Sequence, residues 1–208
     1  MARKSNTISI LMVDGQLIAR LRLRRSARGL EVIAFDRQPG EWNPEDGSLD
    51  AALKAFADEH PMADDLLYTV LPRHEITTRI LTLPTHDPDE ARNMLWLSAE
   101  EFVPFKTEEL IIDQAMIAEE ASGESRVLAA LAHRDVVEGH IALLRGAGFD
   151  PVSVYLSTAC LAAAATAAPE TDERLATVHL GSGGLEVIVT RGGRLEYSRG
   201  VALVQDWS

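Results

Sequence analysis

The stretch ATVHLGSGGLEVIVTRGGRLEYSRG, residues 176–200, decides how the chain is read. It is an apolar strand, a Gly-Ser-Gly-Gly turn and another strand, followed by a further turn and a third strand. Turns of this kind aim several backbone N–H groups at one point and hold phosphates in several nucleotide-binding folds. Whether this one is a working phosphate loop or only its outline separates an ATPase from a scaffold.

The same strand–turn–strand–turn–strand order opens the chain. Residues 8–13 are an apolar run, and Asp14-Gly15 is a strong two-residue hairpin signal. QLIARLRLRR then alternates, with Leu17, Ala19, Leu21 and Leu23 on one face and Arg20, Arg22 and Arg24 on the other, the pattern of a half-buried strand. The arginine face is solvated or ion-paired, or else a site for an acidic partner or anionic headgroups. Gly29 opens a third strand, LEVIAF, and completes an antiparallel meander.

Between the two meanders the elements alternate. Ser48 or Asp50 is placed to cap a helix, LDAALKAFADEH, whose apolar face is Leu49, Ala52, Leu53 and Phe56 and which Pro61 stops. DLLYTVL reads as a central strand. PRHEITTRILTLP is a strand between prolines, and Asp87-Pro88-x-Glu90 is a helix start with cap, first-turn proline and acidic third position. Ala91, Met94, Leu95, Ser98 and Phe102 share a face of that helix. ELIIDQAMIAE and SRVLAALAH flank the turn EASGE. A helix aligning Val137, Ile141 and Leu144, the strand DPVSVYLS, an Ala-rich helix stopped by Pro169 and a short polar linker follow.

A chain of 208 residues makes one large domain or two small ones. The net charge of −12 argues against nonspecific nucleic-acid binding, and 5% aromatic content argues against a base-stacking surface. Cys160 is single, cannot form an internal disulfide, and is expected in the core. Asp14 cuts the N-terminal apolar run too short for a signal peptide, and no run reaches a membrane span. A reducing, cytoplasmic location follows.

Other chemistry is thin. His133 and His140 lack zinc spacing. Glu100-Glu101 and Glu108-Glu109 read as solvated element ends. Phe102, Val103, Pro104 and Phe105 read as anchors where helix turns to strand, or as one aromatic lining a groove. Trp96 lies off the apolar face of its helix and is expected to be exposed. Ser182 sits in a turn that is not Gly-x-Ser-x-Gly, so no hydrolase is indicated.

The order of meander, helix, strand, inserted strand–helix–strand–strand module, helix, strand, helix and second meander resembles the actin-like ATPase superfamily. The inserted module resembles that of the PilM and FtsA branch. LPRHEITTRILTLP and EARNMLWLSAEEFVPFKTEELIIDQAMI look like PilM, with Val103-Pro104-Phe105, Glu108-Glu109 and Asp113 at the family's positions. The likeness extends through VLAALAHRDVVEGHIALLRGAGFDPVSVYLSTACL and VHLGSGGLEVIVTRGGRLEYSRGV, good over residues 66–201 and loose before. GspL of type II secretion is the nearest variant.

That resemblance implies an α/β fold: an actin-like (ribonuclease H-like) lobe at 1–70 and 134–172, the inserted module at 71–133, and the start of a second lobe at 173–208. It implies a cytoplasmic scaffold of a type IV pilus or type II secretion machine. Such a scaffold binds the N-terminal tail of an inner-membrane partner, PilN, and links it to the assembly ATPase, without inserting into the membrane. The tail is expected in a groove between the first meander and the inserted module, with Arg20, Arg22, Arg24, Ile76, Ile80 and Phe105 as contact candidates. The family's nucleotide site uses two Asp-x-Gly hairpins. Here Asp14 and Gly15 are adjacent, Arg20 stands where a lysine is expected nearby, and His179 replaces the second aspartate before Gly181, Ser182 and Gly183. The site is therefore expected to be degenerate, with no enzyme activity, no metal and no cofactor. The alternative is an FtsA-like protein that binds ATP and Mg²⁺ and polymerises. The C-terminus falls after what would be the second lobe's third strand, as in a truncated or reduced member.

Overall fold

A computed structural model describes residues 5–62, 64–166, 173–181 and 183–202. In chain order the elements are β1 (Thr7–Val13), β2 (Leu17–Ser26), β3 (Gly29–Pro39), α1 (Ser48–Glu59), β4 (Leu66–Leu71), β5 (Thr77–Leu83), α2 (Pro88–Ser98), β6 (Leu110–Glu119), β7 (Ser125–His133), α3 (Arg134–Gly146), β8 (Ser153–Leu156), α4 (Ser157–Thr166), β9 (Arg174–Leu180), β10 (Gly184–Arg191) and β11 (Arg194–Ala202). They fall into two compact units, Met1–Leu71 with Glu138–Leu156, and Pro72–Val137 with Ser157–Ser208.

In the first unit the sheet order is β3-β2-β1-β4-β8. β1 pairs antiparallel with β2 and parallel with β4, which pairs parallel with β8. Leu49, Leu53 and Phe56 of α1 and Leu144 of α3 pack on Leu11, Val13, Ile18 and Leu67 of this sheet. The i, i+3, i+4, i+7 spacing of the α1 residues makes that stripe, and burying a side chain such as Phe56 contributes about 2–3 kcal/mol. Gly47, not Ser48 or Asp50, occupies the N-cap, at φ +77°. The Ser48 hydroxyl instead accepts the Asn43 N–H at 2.8 Å.

The two faces of β2 are not divided by hydropathy. The side under the helices carries Ile18, Arg20 and Arg22; Leu17, Leu21 and Leu23, on the other face, are half-buried. Arg20 can lie inside because its charge is matched there by Asp36 at 2.7 Å.

The second unit contains the sheets β5-β7-β6 and β11-β10-β9. Leu95 of α2, with Ala99 and Val103 just beyond its end, packs on Leu110, Ala129 and Leu131. On the opposite side of β7, Leu128 joins Ile188, Leu195 and, from α4, Leu161. β7 is thus covered on both faces, which accounts for its nearly unbroken apolar sequence. Asp87 caps α2 as its sequence implies, accepting the N–H groups of Asp89 and Glu90 at 2.7 and 3.1 Å. The hairpin between β10 and β11 turns on Gly192 and Gly193, at φ +53° and +73°, a turn that side-chain-bearing residues adopt poorly.

Cys160 is exposed, contrary to the expected core position. Apart from Leu161, α4 is built of small residues, so its sequence gives little sign of which side of Cys160 faces in. Its Pro169 stop lies outside the described residues. Among the described residues no helix is long and apolar enough to cross a membrane.

Candidate functional site

The first candidate phosphate turn joins β1 to β2. Its central pair is Gly15-Gln16 rather than Asp14-Gly15, since the Asp14 N–H donates to the Leu17 carbonyl at 3.0 Å. Gly15 does not take a positive φ. The Asp14 Oδ1 atom accepts the N–H groups of Gln16 and Leu17 at 2.8 and 2.7 Å. The carboxylate is folded onto its own turn, and two N–H groups that could meet a phosphate are engaged by it. Arg20, the nearby cation, is 5% exposed and held by Asp36.

The second candidate turn joins β9 to β10. Ser182 lies outside the described residues. The Gly181 N–H donates to the Gly184 carbonyl at 2.9 Å, closing the hairpin. The His74 imidazole occupies the space beside Gly183 and Gly184, where a side chain on either glycine would collide with it. His179 faces Glu186 across the strand pair. Glu186 is buried and accepts hydroxyl hydrogen bonds from Ser157, at 2.7 Å, and from Thr158. Sequence reasoning passed over this carboxylate. Its signal was a lone acidic residue inside the apolar run LEVIV.

The arginine face of β2 divides three ways. Arg20 pairs with Asp36. Arg22 makes a two-pronged pair with Asp65, Nε to Oδ2 at 2.8 Å and Nη2 to Oδ1 at 2.9 Å. The Ser9 hydroxyl donates to the same Asp65 at 2.6 Å. Burial alone would raise the Asp65 pKa, but the hydrogen bonds from Arg22 and Ser9 outweigh it and hold the carboxyl below its usual range. Arg24 is exposed.

Ile76 sits just before β5 and is half-buried. Ile80 packs beside Leu128 and Ile188. Phe105 is exposed, with its ring edge-on to His133 at a centroid distance of 4.8 Å. Trp96 is exposed too. Asp14, Gly15 and the three arginines belong to the first unit; His179, Gly181, Gly183, Ile76, Ile80 and Phe105 belong to the second. The acidic pairs order local turns. Glu100 accepts the Thr107 N–H, and Glu109 accepts the Lys106 N–H.

Among the described residues no group of three His, Cys, Asp or Glu could hold a metal ion. His140 hydrogen-bonds Thr69 through Nε2 at 2.8 Å, and burial lowers its pKa, favouring the neutral ring. The Cys160 thiol is raised by desolvation and by the nearby Glu186 charge, so it is not an activated thiolate.

No family model matches the sequence, and no curated protein matches it either. Solved structures do. A chain of a PilM–PilN type IV pilus biogenesis complex matches 97% of this chain with a TM-score of 0.81 at 19% identity. The cytoplasmic domain of EpsL, an inner-membrane component of the type II secretion system of Vibrio cholerae, matches 94% with a TM-score of 0.60 at 15% identity. A Bacteroides thetaiotaomicron protein with an actin-like ATPase fold matches 97% with a TM-score of 0.59 at 8% identity. This chain spans 62%, 71% and 72% of those three chains. The fold is therefore the α/β actin-like ATPase fold, in the form similar to PilM and EpsL.

Proposed function

We propose that the chain is a non-enzymatic adaptor of a type IV pilus or type II secretion machine, working in the cytoplasm at the inner membrane. It holds the short N-terminal tail of a PilN-like inner-membrane partner and links it to the assembly ATPase. The observation that carries this reading is the similarity, along nearly the whole chain, to a chain of a complex that contains PilN.

The two hairpin turns support the non-enzymatic half. Asp14 is folded onto the N–H groups a phosphate would need, and an imidazole fills the space beside Gly183. The second turn, residues 179–184, holds no Asp or Glu to serve magnesium. Capture of an extended tail uses main-chain hydrogen bonds for register and pockets for alternate side chains. Ile76, Ile80 and Phe105, all in the second unit, are the contact candidates there. A tail disordered when free binds with modest, adjustable affinity.

The test is fluorescence anisotropy with a labelled peptide of the PilN N-terminal tail type. Saturable one-to-one binding is expected; none, with a chain that circular dichroism shows folded, sinks the adaptor reading. Calorimetry with Mg-ATP separates the FtsA-like alternative, which the actin-like fold favours. Magnesium-dependent saturable binding would restore a nucleotide role.

A further inference from the structure

Four arginines of the second unit line one cavity of about 780 Å³: Arg73, Arg79, Arg126 and Arg199. They come from the turn before β5, from β5, from β7 and from β11, so the fold rather than the local sequence assembles them. Among the described residues no carboxylate lies within ion-pair distance of any of the four. Glu196 also lines the cavity, but its carboxylate pairs with Arg174 at 2.7 Å.

The contacts these arginines do make are to neutral groups. Arg73 donates to the carbonyls of Ile76 and Thr78, and Arg126 to that of Glu196. Two donors are left over: Arg73 Nε and the Ser198 hydroxyl are buried with no hydrogen-bond partner. Both atoms are closed off from solvent, so the cavity presents the remaining guanidinium nitrogens rather than these two. The contrast with β2 is direct, since Arg20 and Arg22 in the first unit each have a carboxylate. The Glu186 charge acts on Arg73 from beyond contact distance, so in a chain of net charge −12 four guanidiniums share one hollow with no carboxylate in direct contact.

We infer that this cavity binds a small phosphate-bearing molecule through two phosphate groups. Charge selects phosphate over carboxylate. Each phosphate carries about −1.5 to −2 at neutral pH, so two adjacent groups match four arginines, where four separate carboxylates would have to converge in the same space. Guanidinium forks match tetrahedral oxyanions two bonds at a time. The volume falls within the range of about 300–1,000 Å³ usual for small-molecule sites, and it leaves room for an organic remainder beside Ile80 and Tyr197. The site does not rest on tail capture.

The test is calorimetry of the 208-residue chain with inorganic pyrophosphate, at low salt and without divalent metal. One-to-one binding is expected. Arg79→Gln and Arg199→Gln, both at exposed arginines, should each weaken it about tenfold or more, and Arg24→Gln in the first unit should leave it unchanged. A tetraglutamate peptide should not compete. Absence of binding, equal binding by the arginine variants with unchanged thermal midpoints, or displacement of pyrophosphate by tetraglutamate would each overturn the inference.

Discussion

Asp65→Ala decides whether the arginine face of β2 is a structural element or a surface held for a partner. Asp65 is 1% exposed and accepts three hydrogen bonds, two from Arg22 and one from the fully buried Ser9. Breaking a buried ion pair from one side costs about 3–5 kcal/mol, chiefly through the charge left unpaired. The Arg22 side chain is 32% exposed and can regain some water, which places its share near the lower bound or beneath it. Ser9 loses its acceptor, a further cost of about 1 kcal/mol. The sum is about 3–4 kcal/mol, or about 10 °C in thermal midpoint for a chain of this length. Urea unfolding followed by far-UV circular dichroism measures it. In the Arg22→Met, Asp65→Ala double variant the losses should fall short of additive by about 2 kcal/mol, because the stranded charge is gone. A loss below about 1 kcal/mol for Asp65→Ala, or strict additivity, would refute the reasoning and return Arg22 to the pool of partner-binding candidates. The pair also has a pH signature. The Asp65 pKa is lowered from 3.8, so its contribution is complete above that value and disappears as pH falls through the folded-state pKa.

His140 gives a second pH dependence, at higher pH. Its pKa is lowered from 6.5 by burial, so the unfolded chain takes up a proton that the folded chain refuses. Stability should fall as pH drops below that value, read as a lower urea midpoint at pH 5.5 than at 7.5. His140→Gln should flatten the difference, and an undiminished drop in the variant would remove His140 as its cause. Asp87→Ala deletes a cap that accepts two N–H groups and should cost about 1 kcal/mol in the same assay. An unchanged midpoint would mean that the start of α2 is held by its packing alone.

Much of the architecture was legible because its signals are local. The Asp87-Pro88 start, the α1 stripe ending at Phe56 and the apolar run of β7 each lie within about a dozen residues. The order of elements then pointed to the actin-like fold. The facing of β2 was not legible, because Asp36 and Asp65, which let arginines lie under the helices, are 16 and 43 residues from their partners. Nor was the position of Cys160, since a helix of small residues apart from Leu161 has little readable inner stripe. The turn after β1 was recognised as a turn, but the direction of the Asp14 carboxylate depends on backbone geometry. The arginine cavity draws on residues from 73 to 200, and nothing in any one segment hints at it.

β7 carries a mechanical consequence. Ala129 and Leu131 belong to one packed layer and Leu128 to the next, so a single strand is shared by two cores. Peeling either layer away would strip one side of β7 and weaken its hold on the other, leaving no inexpensive half-open intermediate along this strand. Amide protons of β7 should therefore exchange with solvent only when both layers come apart together, at a rate set by the whole unit.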